Sequence, residues 1–165
     1  MKRYIESYAT YTNSKNDKFW GDKAAGILPI AKDTKRILLN LRSEYVNEPF
    51  TYGVYGGKLD SDDLNNVKKA AIREFEEESN YRGNIKLTKA YLFETPNKSF
   101  SYQNFIGIID KEFEPDYDWE SAGHLWVTLN ELLDMIRTKP EKIHFGLKSL
   151  VDNSLHLIKQ ATLSY

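Results

Sequence analysis

The residues best suited to chemistry in this sequence are three glutamates, Glu74, Glu77 and Glu78, in the segment 70–79. Their spacing of three and four residues places all three carboxylates on one face of a helix. Like charges at this spacing destabilise a helix and raise one another's pKa values. A hard divalent cation such as Mg²⁺ or Mn²⁺ removes both penalties, because these ions prefer oxygen ligands. The pattern indicates an oxygen-ligated metal site, and a charged surface helix without a metal is the alternative.

The surroundings of these glutamates favour the metal site. Arg73 lies four residues before Glu77 and can pair with it, which would fix that carboxylate. Gly56 and Gly57 precede the helix at the end of a strand, where glycine lets backbone carbonyls and amides approach a ligand closely. A metal held by strand-end backbone and helix carboxylates suits phosphate chemistry, because it neutralises anionic oxygens and activates water.

An amphipathic helix over residues 64–79 is predicted to position the glutamates. Its apolar side chains recur at spacings of three and four, which indicates one buried face opposite the acidic one. Residues 60–63, Asp-Ser-Asp-Asp, suit an N-cap and first turn, and Asn80 can end the helix in the left-handed conformation. The apolar positions are Leu64, Val67, Ala71, Ile72 and Phe75.

Short apolar or alternating segments predict strands on both sides of this helix in the chain. Pro29, within the first strand, implies a bulge or a sheet edge. We expect Asn130 to cap a helix that runs through Ile136, and a last amphipathic helix to cover about residues 145–160. This order of elements favours an α/β layered domain. The predicted strands are residues 24–31, 36–42, 50–55, 85–93, 102–109 and 125–127, with a turn at 96–98.

Composition excludes several classes of function. The 165 residues, 41% hydrophobic and 28% charged, predict one domain over residues 1–165 with residues 1–20 as an N-terminal arm. The absence of cysteine excludes a disulfide scaffold, a thiolate nucleophile and a Cys-ligated metal. A net charge of −1 provides no basic field for nucleic acid. No stretch has the character of a signal peptide or membrane span, so we expect a soluble, cytoplasmic protein.

The segment 57–81 resembles the signature of the Nudix hydrolases. That signature is glycine, five residues, glutamate, seven residues, then Arg-Glu-aliphatic-any-Glu-Glu-any-Gly-aliphatic. Gly57 matches the first glycine, and residues 73–81, Arg-Glu-Phe-Glu-Glu-Glu-Ser-Asn-Tyr, match the second half with four charged positions in register. The resemblance implies an α/β/α sandwich with a mixed β-sheet and a catalytic helix after the Gly-Gly exit from a strand.

The sequence departs from the signature in the loop before the helix. Gly57 and Arg73 are 16 positions apart, whereas the signature has 14, so two residues are inserted. The signature's first glutamate falls on Asp63 when counted from Gly57, and on Asn65 when counted back from Arg73. Asp63 is the better candidate, and Asp60 is the alternative. At three further positions the residue differs from the signature, and none of these changes removes a carboxylate. Phe75 and Tyr81 stand where the signature has aliphatic residues, and Asn80 stands where it has glycine.

The resemblance implies hydrolysis of a diphosphate linkage in a nucleoside diphosphate joined to another group, with Mg²⁺ or Mn²⁺ as cofactor. It implies metal binding by Glu74, Glu77, Glu78 and the Gly57 carbonyl, and an orienting role for Arg73 on Glu77. Family members often use a further carboxylate outside the signature as a base or ligand. Glu120 is our candidate for it, with four neighbouring carboxylates as competitors: Glu112, Glu114, Asp116 and Asp118.

Two basic residues are candidates for substrate binding. Lys58 follows the glycines and can contact phosphate; the alternative is that it is simply an exposed lysine. Arg42 closes a strand and can reach a phosphate or a base; the alternative is a surface ion pair. His124 is expected to be structural, because metal-activated water already supplies the nucleophile. Aromatic residues that could stack on a base, most of them expected to be core, are Phe50, Tyr52, Tyr55, Phe93, Phe100, Tyr102 and Phe105.

The sequence leaves the substrate open. We rank nucleoside triphosphates slightly ahead of ADP-ribose-like compounds, followed by capped RNA ends and dinucleoside polyphosphates. A Nudix-type module that binds a nucleotide without hydrolysis is the alternative function, and a structural Ca²⁺ site is another. The aromatic arm could pack on a second chain to form a homodimer or fold back on its own domain; its residues are Tyr4, Tyr8, Tyr11, Phe19 and Trp20.

Overall fold

The first strand is a continuous run of apolar residues, and every position from Ala24 to Ala31 is buried because the strand is covered on both faces and both edges. The computed structural model describes residues 23–163. Its strands are β1 (Lys23–Ala31), β2 (Ile37–Arg42), β3 (Tyr52–Gly53), β4 (Tyr55–Lys58), β5 (Ile85–Glu94), β6 (Ser101–Ile109) and β7 (Ser121–Val127). Its helices are α1 (Val67–Ser79), α2 (Leu129–Thr138) and α3 (Phe145–Leu163), with 3₁₀ turns at Ser61–Asp63 and Pro140–Lys142.

The sheet is mixed, with β1 at its centre. β6 runs parallel to β1 along its whole length, and β5 pairs antiparallel with the outer edge of β6. The other edge of β1 is shared by β4 and β2, both antiparallel to it. β2 in turn pairs with β3 and with β7. This arrangement confirms the predicted mixed sheet.

Helices cover both faces of the sheet, as the predicted α/β/α sandwich requires. Ala25, Ile27 and Ala31 point to the face covered by α1, where they pack with Ala71 and Phe75. Leu28 and Ile30, at the alternate positions of β1, point to the face covered by α2 and α3. The second core is completed by Leu132, Leu147, Leu150, Val151 and Ile158. Among residues 23–163, no helix combines the length and apolar character needed to cross a bilayer.

The prediction of a bulge or a sheet edge at Pro29 is wrong. Pro29 lies in the central strand, in uninterrupted parallel register with Gly107 of β6. On its other edge, β1 pairs with β4 up to Ile27 and with β2 at Ile30. Pro29 therefore occupies the short gap where the antiparallel partner changes, and a missing backbone N–H is tolerated there.

Two helix starts differ from the sequence predictions. α1 begins at Val67 rather than at Leu64, because Asp60 caps a separate 3₁₀ turn and Asn66 caps the helix by accepting from the Lys69 N–H at 3.1 Å. α2 is capped by Thr128 instead of Asn130. The Thr128 hydroxyl accepts from the Glu131 N–H, and the Glu131 carboxylate accepts from the Thr128 N–H.

Candidate active site

The signature glycines lie directly against the acidic helix. β4 continues through Gly57 to Lys58, beyond the predicted strand end, and pairs with the start of β1. A Cβ on Gly57 would lie 2.6 Å from the carboxyl carbon of Glu74, so only glycine lets this carboxylate reach the strand. The Gly56 N–H donates to Glu78 Oε2 at 3.2 Å. Two of the three predicted glutamates therefore contact the Gly-Gly segment.

Arg73 is surrounded by acidic side chains. Its Nε and Nη2 donate to the two carboxylate oxygens of Asp63 at 3.1 and 2.9 Å, and Asp60 Oδ2 lies 3.3 Å from Nε. Asp63 is fully buried and also accepts from the Asp60 N–H at 2.9 Å. We call Asp60, Asp63 and Arg73 the arginine network. The Arg73 guanidinium holds the pKa of Asp63 below its ordinary value, chiefly through these hydrogen bonds.

The geometry of Arg73 differs from the single Arg73–Glu77 pair expected from sequence. Its Nη1 lies 2.9 Å from Glu74 Oε1 and 3.2 Å from Glu77 Oε2, and its Nη2 donates to the Lys58 carbonyl at 3.1 Å. Arg73 thus links the end of β4 to the start of the acidic face of α1. The Glu77 side chain is 57% exposed, whereas the Glu74 side chain is 15% exposed.

The inserted loop places Asp63 for this contact. After the 3₁₀ turn, Leu64 and Asn65 both adopt left-handed backbone conformations, with φ of 51° and 60°. These two residues lie between the turn that contains Asp63 and the cap of α1. The longer spacing between Gly57 and Arg73 is therefore accommodated in the loop, and Asp63 still reaches the guanidinium.

A second loop brings carboxylates to the same place from outside the signature. The Ser43 N–H, just after β2, donates to the Glu120 carbonyl at 2.8 Å, and the Ser43 hydroxyl donates to the Trp119 carbonyl at 2.8 Å. Asp118 Oδ1 accepts from the Glu120 N–H at 2.9 Å, which closes a tight turn. These bonds fix the turn that carries Asp118 and Glu120 beside the acidic helix.

Five carboxylates on the helix and this loop interact electrostatically, and we call them the carboxylate cluster: Glu74, Glu77, Glu78, Asp118 and Glu120. Burial, opposed by Arg73 and reinforced by Glu77 and Glu120, raises the pKa of Glu74 to about 7. Burial and the charges of Glu120 and Glu74 raise the pKa of Glu78 well above its ordinary value. Burial is also the main cause of the raised pKa values of Asp118 and Glu120. Ionised carboxylates here need a compensating cation.

The donor set fits Mg²⁺ or Mn²⁺. Every side chain in the carboxylate cluster offers oxygen, and the backbone of Gly56 and Gly57 adjoins it. Within residues 23–163, no three His, Asp or Glu side chains form a group close enough to hold a metal ion by themselves. Mg²⁺ does not require such a cage, because it is usually bound by one or two carboxylates, water and substrate phosphates.

Three of the four carboxylates that competed with Glu120 are engaged away from the cluster or exposed. Glu112 forms a two-pronged ion pair with Arg36, with both contacts at 2.6 Å. Asp116 accepts from the Asn80 side chain at 2.7 Å, and the Glu114 side chain is 85% exposed. Asp118 is the exception, because it lies in the cluster beside Glu120.

The two predicted substrate residues lie at the borders of the site. Burial raises the pKa of Glu120, and the charge of Arg42, at the end of β2, opposes that rise. The Arg42 Nε donates to the Asn47 carbonyl at 2.8 Å. Lys58 ends β4, with an exposed side chain beyond Gly57. His124 lies in β7 and contacts Tyr117, which is compatible with the structural role expected for it.

Near the site, the sequence suggests Tyr55 only as a ring that could stack on a base, and it gives no indication of His144. Among residues 23–163 the buried Tyr55 hydroxyl has no hydrogen-bond partner, and burial together with Glu78, Tyr117 and Asp118 raises its pKa. His144 lies against Gly53, and burial followed by the charge of Arg42 lowers the pKa of its imidazole. His144 is an isolated histidine in the sequence, so no pattern signals that it lies near Arg42.

The comparisons with known proteins agree with this architecture. The NUDIX domain family model matches residues 21–149, and the chain therefore belongs to the Nudix hydrolase family, as the signature predicted. Among curated proteins, none matches the chain significantly.

Solved structures show the same fold at low sequence identity. The Nudix hydrolase RenU from M. smegmatis has a TM-score of 0.66 at 19% identity, over 88% of this chain and 89% of that one. An Ap4A hydrolase from C. elegans has a TM-score of 0.58 at 19% identity, over 78% and 92%. A bifunctional NMN adenylyltransferase/ADP ribose pyrophosphatase from Francisella tularensis, complexed with AMP and Mn ion, has a TM-score of 0.56 at 18% identity, over 95% and 47%.

Proposed function

We propose that this protein hydrolyses a diphosphate linkage in a nucleoside diphosphate joined to another group, with Mg²⁺ or Mn²⁺ as cofactor. The carboxylate cluster is the observation that carries this proposal. Glu74 and Glu78 lie against the Gly-Gly segment and are largely buried, and the raised pKa values of Glu74, Glu78 and Glu120 report charge that the protein itself does not neutralise. A divalent cation together with an anionic diphosphate complements such a site.

The roles of the residues follow from their positions. Glu74, Glu77, Glu78 and the Gly57 carbonyl would hold the metal, and Arg73 is a positioning residue that keeps Glu74 and Glu77 oriented. When bound, the divalent ion supplies charge neutralisation and activation of water. Glu120, on the opposite loop, accepts the proton of the attacking water through its carboxylate, and its raised pKa favours that proton transfer. Lys58 and Arg42 bind phosphate at the two borders.

Related proteins support a diphosphate as the scissile group. An Ap4A hydrolase and a protein with ADP ribose pyrophosphatase activity share this fold, and both names describe phosphoanhydride cleavage in a nucleotide. For this chain we keep nucleoside triphosphates slightly ahead of ADP-ribose-like compounds. Capped RNA ends and dinucleoside polyphosphates follow.

A substrate panel with mass identification of the products tests the proposal. The protein is incubated with nucleoside triphosphates, ADP-ribose, a dinucleoside polyphosphate and a capped oligonucleotide, with Mg²⁺, with Mn²⁺ or with EDTA. We expect metal-dependent cleavage of at least one substrate, and a loss of about 100-fold or more in kcat for Glu78→Gln. Glu76→Gln is the matched control, since it changes the same charge on the same helix outside the cluster. Equal activity in the two variants would contradict the proposal.

One observation favours another function, a nucleotide-binding module without hydrolysis: the signature carries two inserted residues. In that case no substrate is cleaved while a nucleotide still raises the unfolding temperature. A stabilising response to Ca²⁺ alone, without any nucleotide, would instead indicate a structural ion.

Location and assembly stay predictions. We propose a cytoplasmic protein, consistent with the absence of a membrane-crossing helix within residues 23–163. The proposed homodimer depends on the aromatic arm at residues 1–20, which lies outside the described residues. Size-exclusion chromatography with light scattering tests the assembly directly.

A further inference from the structure

Exposed aromatic side chains concentrate around the carboxylate cluster. Among residues 23–163, seven large hydrophobic side chains are exposed, and the four aromatic ones all lie in the two loops joined through Ser43. One loop follows β2 and the other precedes β7. The four residues are Tyr45, Phe50, Tyr117 and Trp119. Exposed aromatic rings beside a functional site are candidates for contact with a ligand.

Tyr117 is the ring that the structure holds in place. Its hydroxyl lies 2.6 Å from His124 Nδ1, and the two rings are in contact with a centroid distance of 5.8 Å. Tyr117 is nevertheless 49% exposed, so the ring is oriented without being covered. An oriented aromatic face loses little conformational freedom on binding a flat ligand.

The same ring adjoins the candidate metal site. Tyr117 immediately precedes Asp118 of the carboxylate cluster, and after burial the charges of Glu78, Tyr117 and Asp118 all contribute to the raised pKa of the Tyr55 hydroxyl. The next chemical group of a ligand whose diphosphate lies at the cluster is therefore within reach of Tyr117.

We infer that Tyr117 is the stacking platform for the nucleobase of the substrate, and that His124 is the positioning residue that orients its ring. This inference rests on the proposed function and adds the part of the substrate that the carboxylates do not contact. Stacking is tolerant of base identity because every base has a π-face, and larger purine rings overlap more of the tyrosine than pyrimidines do. The subsite accordingly favours purine nucleotides without selecting one purine.

Four of the seven aromatic residues considered from sequence are unsuited to this role. Tyr55, Phe100 and Phe105 are buried in the core, with exposed fractions of 1%, 2% and 5%. Phe50 is exposed, but within the described residues no ring contact is seen that would orient it. Tyr117 is distinguished from the other exposed rings by the contact of its hydroxyl with His124, and only the folded structure shows that contact.

Equilibrium binding of AMP and of ribose 5-phosphate, both with Mg²⁺, tests the inference independently of turnover. We expect Tyr117→Ala to weaken AMP binding about tenfold, and to leave the affinity for ribose 5-phosphate, which has no base, within about twofold. Tyr117→Phe keeps the ring and is expected to stay within about threefold of wild type. Trp119→Ala, two residues away, is the matched aromatic control and should leave AMP binding unchanged.

The results separate this inference from the proposed function. Equal AMP affinity in wild type and Tyr117→Ala, or a loss in Trp119→Ala alone, overturns the platform even if the enzyme hydrolyses nucleotides. A loss in Tyr117→Ala that is equal for AMP and ribose 5-phosphate also overturns it, because a base contact cannot affect a ligand without a base. A base-dependent loss in a protein that cleaves nothing supports the platform and contradicts hydrolysis. Thermal unfolding of each variant confirms that it is folded.

Discussion

Two acidic regions lie along α1 (Val67–Ser79), the arginine network and the carboxylate cluster, and the pKa values of their buried acids are shifted in opposite directions. In the arginine network, the carboxylate of Asp63 is paired with Arg73 and its pKa is lowered. In the carboxylate cluster, Glu74 and Glu78 are largely buried and their pKa values are raised. Both regions contain buried acids, but only the first contains its own counter-charge.

The difference separates a structural role from a functional one. A buried carboxylate that is fully paired holds two segments together and needs nothing from solution. A group of buried carboxylates without enough positive charge is costly to the folded protein unless a ligand neutralises it. Perturbed pKa values of this second kind are common at functional sites. Glu74 contacts both regions, because Arg73 reaches it at 2.9 Å and burial still raises its pKa.

Breaking the arginine network should have the largest effect on stability. Asp63→Asn removes the charge that faces the Arg73 guanidinium in a fully buried position, so we expect the free energy of unfolding to fall by about 3 kcal/mol. Urea denaturation measures this change. Asp62→Asn, a neighbouring exposed aspartate in the same turn, should change stability by less than about 0.5 kcal/mol. Similar losses in both variants would mean that the turn, rather than the ion pair, carries the stability.

Much of this fold follows from the sequence because local patterns decide it. The continuous apolar run of β1 indicates a strand, and the helical period of α1 places its apolar side chains on the face that packs against the sheet. Asn80 ends α1 in the left-handed conformation, with φ of 58°, as its residue type predicts. The positions of Pro29 and of the start of α1 were not predictable, because the first depends on which strand pairs with β1 and the second on a competing cap.

In the candidate site, too, the features set by local sequence could be predicted and those set by distant contacts could not. The spacing of Glu74, Glu77 and Glu78 is local, so the helix face they share could be anticipated. The several partners of Arg73 could not, because Asp63 reaches it only through two left-handed residues in the inserted loop. Tyr117 is brought to the site by pairing between β2 and β7, which is a contact between distant parts of the chain.

The pH dependence of stability should distinguish the two regions. Between pH 4.5 and about 7 the folded protein holds a proton on Glu74 that the unfolded chain releases, so stability falls as pH rises through this window. For Asp63 the sign is reversed, and its contribution is lost as pH falls through its lowered pKa. In EDTA, we expect a decline of roughly 2 kcal/mol from pH 5 to pH 7.5, measured by urea denaturation.

A matched variant isolates Glu74 in that measurement. Arg73, Glu77 and Glu120 face Glu74 and are unchanged in Glu74→Gln, which should reduce the decline above pH 5 by the contribution of Glu74 and leave those of Glu78, Asp118 and Glu120. Mg²⁺ should reduce the decline in wild type, since a cation favours the ionised carboxylates. A pH profile that is the same in wild type and Glu74→Gln would show that the pKa of Glu74 is not raised in the folded protein.

The smallest effect concerns the loop that connects the two regions. Leu64 is 82% exposed and has φ of 51°, a conformation that costs a residue with a side chain about 1 kcal/mol and costs glycine little. Leu64→Gly should therefore raise the free energy of unfolding by about 0.5 kcal/mol, after allowance for the greater freedom of glycine in the unfolded chain. Asn65→Gly is the control, and no gain in stability is expected from it. Asparagine already tolerates the left-handed conformation. The Asn65 side-chain oxygen also accepts a hydrogen bond from Lys23 Nζ at 3.1 Å, which glycine would lose. Urea denaturation of both variants measures the contrast. A loss of stability in Leu64→Gly would show that the stiffness of the loop holds Asp63 in place. The arginine network would then depend on the inserted residues as well as on its ion pairs.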